Sequence, residues 1–132
     1  WSEGKTPYIT IKDKSEDRTK AQNRLMHLWF KDIAKSTGQG LIYEAGRCKM
    51  QYFLPVLKMS ENEEAQTAYY VARELYKKLG HEKFVEVLGM SVIGTTRFLK
   101  ASEFAEALTN MQFAEAEHNL TDPAFYGIDN WK

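Results

Sequence analysis

The amino-acid sequence predicts an α+β fold: a single compact domain, mostly helical, with a small antiparallel sheet. Three observations lead to that class. Apolar residues recur at helical spacing behind capping signals in several segments. Two short stretches rich in β-branched and aromatic residues, Tyr8–Ile11 and Ser91–Leu99, interrupt them. The chain of 132 residues, 43% hydrophobic and 27% charged, is long enough to bury one core without disulfide or metal staples. No apolar run approaches the ~18 residues of a membrane span. The single cysteine, Cys48, excludes an intrachain disulfide framework and a Cys-based zinc cage, and a lone thiol suits a reducing compartment.

The elements follow in chain order. Residues 1–7 read as a flexible lead-in, Tyr8-Ile9-Thr10-Ile11 as a strand and Lys12 to Arg18 as a charged loop. Thr19-Lys20-Ala21-Gln22 reads as a capping box opening a helix from about Lys20 to Ser36, which Gly38 and Gly40 end. A second helix is expected from about Gly46 to Leu57, kinked or ended by Pro55. Ser60-Glu61-Asn62-Glu63 is another capping box. Ala65, Ala68, Tyr69, Ala72, Leu75, Tyr76 and Leu79 then recur at helical spacing until Gly80, with Lys77 and Lys78 suited to the negative end of the dipole. His81 to Leu88 adds a helical turn. Ser91-Val92-Ile93 and Thr95–Leu99 read as strand around Gly94, and Ser102 caps a last helix to about His118. Residues 119–132 form a tail bearing Phe125, Tyr126 and Trp131, aromatics able either to stack on unpaired bases or to pack onto the domain.

Charge is balanced overall, with 18 basic and 18 acidic residues. Residues 1–49 nevertheless carry ten basic and six acidic side chains, an asymmetry that hints at an anionic partner. At 100° per residue, Lys20, Arg24, His27, Lys31 and Lys35 fall within one arc of about 80° beside the apolar stripe of Leu25, Leu28, Trp29 and Ile33. Such a ridge can follow a phosphate backbone by displacing condensed counterions. Many lysine-rich helix faces are simply solvated. Thr95-Thr96-Arg97 with Lys100 places two hydroxyls and two cations where a phosphate could be held. No nucleotide-binding glycine loop and no metal-ligand histidine spacing is present, and the carboxylates suit helix starts and exposed positions.

Two blocks carry a family resemblance. Ile9-Thr10-Ile11 leads to Arg18-Thr19-Lys20-Ala21-Gln22-Asn23-Arg24, then Leu28-Trp29 and Asp32-Ile33-Ala34. This resembles the R-S-x-x-Q-N-R…L-W segment of the NinB (Orf) recombination proteins of lambda-like phages and prophages. Ile93-Gly94-Thr95-Thr96-Arg97-Phe98-Leu99 and Glu103–Leu108 resemble that family's Ser-x-Arg strand and its following V-x-E-F-A-E-x-L helix. The resemblance spans about Tyr8 to Ala124. Thr19 stands where lambda-type members carry Ser, the middle matches only in helical pattern, and the tail differs.

The resemblance implies a recombination mediator without catalytic chemistry, metal or cofactor. It would bind DNA, preferentially single-stranded or at junctions, and help recombination proteins load past single-strand-binding protein. It further implies a homodimer around a cationic channel, working in the cytoplasm of a bacterial host. The expected DNA contacts are Arg18, Lys20, Asn23, Arg24, Lys31, Thr96, Arg97 and Lys100. Two other readings stand beside it: a small Mg²⁺-dependent phage nuclease or resolvase, and a protein–protein adaptor of the replication–recombination machinery.

Overall fold

A computed structural model describes residues 5–128 and 130–132, with side chains in the first helix from Arg18 onward. Six α-helices succeed one another: α1 (Lys5–Thr37), α2 (Leu41–Cys48), α3 (Leu54–Met59), α4 (Glu63–Leu79), α5 (His81–Gly89) and α6 (Ala101–Ala114). A π-helical turn, Lys49–Phe53, joins α2 to α3, and short 3₁₀ turns occupy Thr96–Phe98, Ala116–His118 and Pro123–Tyr126.

No strand occurs among the described residues, so the expected sheet is absent and the fold is helical rather than α+β. Tyr8–Ile11 and the expected loop from Lys12 to Arg18 both lie within α1, as do residues 5–7 of the expected lead-in; residues 1–4 lie outside the described part. β-branched composition alone does not make a strand when no partner strand is at hand, and extending an already nucleated helix is easy. Thr19 consequently sits inside α1 rather than capping it. Ser91–Leu99 forms a tight turn and a 3₁₀ turn instead of strands. Ser91 adopts a left-handed φ of 60°, a turn conformation that a continuous strand excludes.

The helix boundaries follow from local chemistry. The second helical run starts at Leu41, five residues before its expected start. Pro55 does not end it. Proline cannot donate a bond to the Gln51 carbonyl, and its ring would collide with that group. The wide π turn just upstream and the placement of Pro55 in the first turn of α3 accommodate both constraints. The cap of α4 is Asn62 rather than Ser60: Asn62 Oδ1 accepts from Glu64 N at 3.0 Å, while Ser60 Oγ accepts from Asn62 N at 3.1 Å. Gly80, at φ 81°, makes the sharp turn into α5. α6 starts after Lys100, whose backbone N–H donates to the Glu103 carboxylate at 2.9 Å, and stops at Ala114, short of His118.

Packing is organised by α1. Its Leu25, Met26, Trp29, Phe30 and Ile33 are buried against Ala45 and Cys48 of α2, Tyr52 and Phe53 of the π turn, and Phe104, Ala107, Leu108 and Met111 of α6. Ile128 and Trp131 close the same core, with Trp131 edge-on to Trp29 at 5.7 Å, so this tail aromatic packs onto the domain. A second cluster joins Leu54, Leu57, Ala65, Ala72, Phe84 and Leu88, drawn from α3, α4 and α5.

α2 and α5 approach backbone to backbone. A Cβ on Gly46 would fall 1.9 Å from the Val85 carbonyl oxygen, and one on Gly89 would fall 1.9 Å from the Ile42 carbonyl oxygen. Glycine is required at both points because any side chain would force the helices apart. A Gly46→Ala variant gains up to ~1 kcal/mol of helix propensity. It suffers overpacking in the range of ~1–3 kcal/mol, at the upper end because the obstacle is backbone. Net destabilisation of about 2 kcal/mol is expected, read as a lower urea midpoint with an unchanged m-value.

Candidate nucleic-acid interface

The side of α1 opposite the core is the cationic ridge expected from the sequence. Lys20, Asn23, Arg24, His27, Lys31 and Lys35 are all exposed. They follow one another at roughly one cation per 5.4 Å turn, and from Lys20 to Lys35 the ridge extends about 22 Å. None of Lys20, Arg24, Lys31 or Lys35 forms an ion pair among the described residues. Partial burial, together with the nearby Lys49 and Lys31 charges, holds His27 below its ordinary 6.5. At neutral pH the ridge therefore carries four fixed charges, with a neutral imidazole between them.

Gln22 fixes the position of this ridge. It is fully buried, and its Nε2 donates to the Ala101 carbonyl at 2.8 Å and to the Trp131 carbonyl at 2.7 Å. One side chain thus pins α1 to the start of α6 and to the tail, instead of serving the expected cap. Asp32 supports the next turns: its Oδ2 accepts from Thr121 N at 2.9 Å and Thr121 Oγ1 at 2.8 Å, and Trp29 Nε1 donates to the Thr121 carbonyl at 2.8 Å.

The expected contacts divide into two groups. Lys20 and Arg24 line a depression of about 270 Å³ with Gly127, Ile128 and Asn130. Lys31 continues the same helix face; Arg18 does not, since at 100° per residue it falls about 160° from Lys20, on the core side of α1, where it is half-buried with its Nε unpartnered among the described residues. Lys100 is exposed and precedes the Ala101 that receives Gln22, so the second block meets the first there. Arg97 is not gathered into this surface. It lies over the Phe98 ring at 4.8 Å and lines a separate groove with Glu63 and Glu64. Thr96 is half-buried in the same 3₁₀ turn, and Thr95 is buried.

The structure also contains a polar cluster that sequence spacing does not reveal. Arg47 grips Glu115 bidentately, at 3.1 and 2.9 Å, and donates through Nε to Glu44 at 2.6 Å. Glu44 and Glu115 are 2% and 5% exposed. Thr37 Oγ1 donates to Glu44 at 2.6 Å, the Tyr52 hydroxyl donates to Glu115, and His118 bridges Ser36 Oγ and Glu115 at 2.8 and 3.6 Å. Only the Glu44–Arg47 spacing is legible in the sequence, as an i,i+3 pair; Glu115 lies 68 residues from Arg47.

This cluster sets the local ionisation. Burial opposes charge on Glu115, yet the bonds from Arg47 and Tyr52 draw its carboxyl below the ordinary 4.5. The bond to Glu115 holds the Arg47 guanidinium firmly protonated against its own burial. Cys48 is fully buried beside them, and burial pushes its thiol up to about 12, so no thiolate nucleophile is available there at neutral pH. Lys49, also buried, donates to Ser91 Oγ at 2.8 Å and the Leu88 carbonyl at 3.3 Å at the end of α5, and burial lowers its pKa. Among the described residues, no group of three His, Cys, Asp or Glu side chains is placed to hold a metal ion.

No family model, curated protein or solved structure matches this chain. The NinB resemblance therefore stands on the two sequence blocks alone. No described helix is long and apolar enough to cross a membrane.

An Arg47→Met variant leaves two buried carboxylates without their cation and is expected to lose about 3 kcal/mol at neutral pH. Glu115 has a depressed folded pKa, so its stabilising contribution is complete above its unfolded value near 4.5 and disappears as pH falls through the lower folded value. Without Arg47 the carboxyl resists ionisation instead. The stability gap between the two proteins should therefore narrow from pH 7 toward pH 4, measured by urea unfolding at each pH.

Proposed function

We propose that this chain is a non-catalytic DNA-binding protein of phage or prophage recombination. It holds single-stranded DNA through the phosphates along α1 and helps a recombination protein load past single-strand-binding protein. The observation that carries the binding part is the contrast between the two charged regions. Inside, every carboxylate of the Arg47 cluster is matched by a cation or a hydroxyl donor. Outside, four permanent cations on α1 stand in a row without an acidic partner among the described residues. A row of unmatched cations is suited to a polyanion because binding releases the condensed counterions. Asn23 beside the row supplies an amide for bases or sugars. The recombination role rests on the two sequence blocks that resemble NinB proteins.

The test is fluorescence anisotropy of labelled single-stranded and duplex oligonucleotides of equal length, titrated across salt without divalent metal. Single strands should bind more tightly, with a log–log salt slope of about −3 for four contacts. Arg24→Ala and Lys31→Ala should each flatten the slope by about 0.7, across all sequences alike. Arg97→Ala, on its separate groove, should leave the slope unchanged. Failure of the wild-type protein to bind either oligonucleotide at low salt would overturn the reading.

A further inference from the structure

α3, α4, α5 and the π turn border an open pocket of about 410 Å³, to which α1 contributes nothing among the described residues. Its floor is Leu54, Ala72 and Phe84, all buried. Along α4, Tyr69, Ala72, Arg73 and Tyr76 fall within about 100° of arc at 100° per residue. Two tyrosines two turns apart therefore form the walls, and the single methyl of Ala72 leaves the space between them open. Tyr76 is held edge-on by Phe84 at 5.3 Å and by His81 at 6.0 Å, so this wall stands in place before anything binds. The volume falls at the small end of the ~300–1,000 Å³ range of small-molecule sites.

The rim is cationic. Lys58 of α3 stands 5.8 Å from the centre of the Tyr69 ring, and Arg73 is exposed on α4. Neither forms an ion pair among the described residues. No carboxylate lines this pocket among the described residues, whereas the other two grooves along α4 include Glu63 and Glu64, or Glu74. An apolar floor with two unmatched cations at its edge selects a ligand with an apolar body and a negative head. The aromatic walls favour a ring, through offset or edge-to-face contact. The guanidinium fork matches the two oxygens of a carboxylate. A phosphate ester carries up to about two charges, and this lining supplies few polar groups to replace the water such a head would lose.

We propose that this pocket binds a small aromatic monocarboxylate, with its ring over Ala72 between Tyr69 and Tyr76 and its carboxylate on Arg73 and Lys58. The site is separate from the cationic ridge and does not depend on the DNA-binding reading.

Titration of the ¹⁵N-labelled protein with 2-naphthoate, followed through its amide chemical shifts, tests the site. The shifts should concentrate on α3, α4 and α5 and saturate with a dissociation constant of about 1 mM or tighter. 2-Naphthalenemethanol, the same ring system without the charge, should bind about tenfold more weakly or worse. Arg73→Ala should weaken naphthoate binding about tenfold, and Lys58→Ala about threefold. Both positions are exposed, so the remaining amide shifts should report an intact fold. Arg73→Lys keeps the charge but loses the fork, and should fall between the wild type and Arg73→Ala. Arg97→Ala, on the groove with Glu63 and Glu64, should leave the affinity unchanged. Absence of saturable shifts overturns the proposal, as do shifts centred on α1. An alcohol that binds as tightly as the acid overturns it too, and so does an affinity indifferent to Arg73→Ala. Adenosine 5′-monophosphate binding at this pocket more tightly than naphthoate would assign it to phosphate esters instead and overturn the carboxylate reading.

Discussion

Leu25, Met26, Trp29, Phe30 and Ile33 all leave water on one side of α1, and this stripe is too broad for any single neighbouring helix to cover. α2, the π turn, α6 and the tail each cover part of it. The buried Gln22 makes the cover specific, since its Nε2 donates to the Ala101 and Trp131 carbonyls together. A buried amide without those acceptors would cost roughly 1–3 kcal/mol, so the tail and α6 are selected together rather than separately. The same constraint orients the ridge. Once the apolar stripe is committed inward, Lys20, Arg24, Lys31 and Lys35 have nowhere to go but outward, on a helix that the core holds in place.

The Arg47 cluster works at the far end of α1. Two buried carboxylates share one guanidinium, and an arrangement with that ratio is tolerable only if the remaining acceptor sites are filled. The Tyr52 and Thr37 hydroxyls donate to them from two different elements, and His118 Nε2 stands 3.6 Å from Glu115. Such clusters add less to stability than their short bonds suggest, because desolvation offsets most of the attraction. Their geometry is demanding, however. The cluster ties the end of α1, the α2–π junction and the segment after α6 into one register, while Gln22 does the same midway along α1. The close glycine crossing of α2 and α5 joins the second apolar cluster to the first.

The helices with strong periodicity were legible. The apolar spacing from Ala65 to Leu79, stopped by Gly80, needs no tertiary information to identify, and the exposed stripe from Lys20 to Lys35 follows from the 100° rule. What sequence reasoning missed has definite causes. Tyr8–Ile11, Ser91–Ile93 and Thr95–Leu99 read as strands on composition over only three to five residues, a length at which β-branched residues fit helices and turns as readily. The extension of α1 upstream of Thr19 was hidden by a capping box that is chemically sound but superfluous once the helix continues. The π turn could be suspected only from Pro55, and proline more often ends a helix than widens one. The Arg47–Glu115 pair and the Gln22 anchor depend on residues 68 and up to 109 positions apart, a separation at which one sequence carries no pairing signal. Arg97 fits a phosphate contact by residue type; it lies over the Phe98 ring and lines a groove shared with Glu63 and Glu64.

The bonds from Gln22 to Trp131 and from Trp29 to Thr121 span 109 and 92 residues. A helical chain of this size ordinarily completes its structure through local contacts and does so in microseconds to milliseconds. Here the individual helices can form at that speed, but the core side of α1 stays partly wet until residues some hundred positions away arrive. Closing a loop that long has an entropy penalty that grows only as the logarithm of its length. The penalty must nevertheless be met before the reward of burial is collected. The slow coordinate of this molecule is therefore the search of a distant segment for α1, a kinetic character closer to that of sheet proteins than its all-helical content suggests.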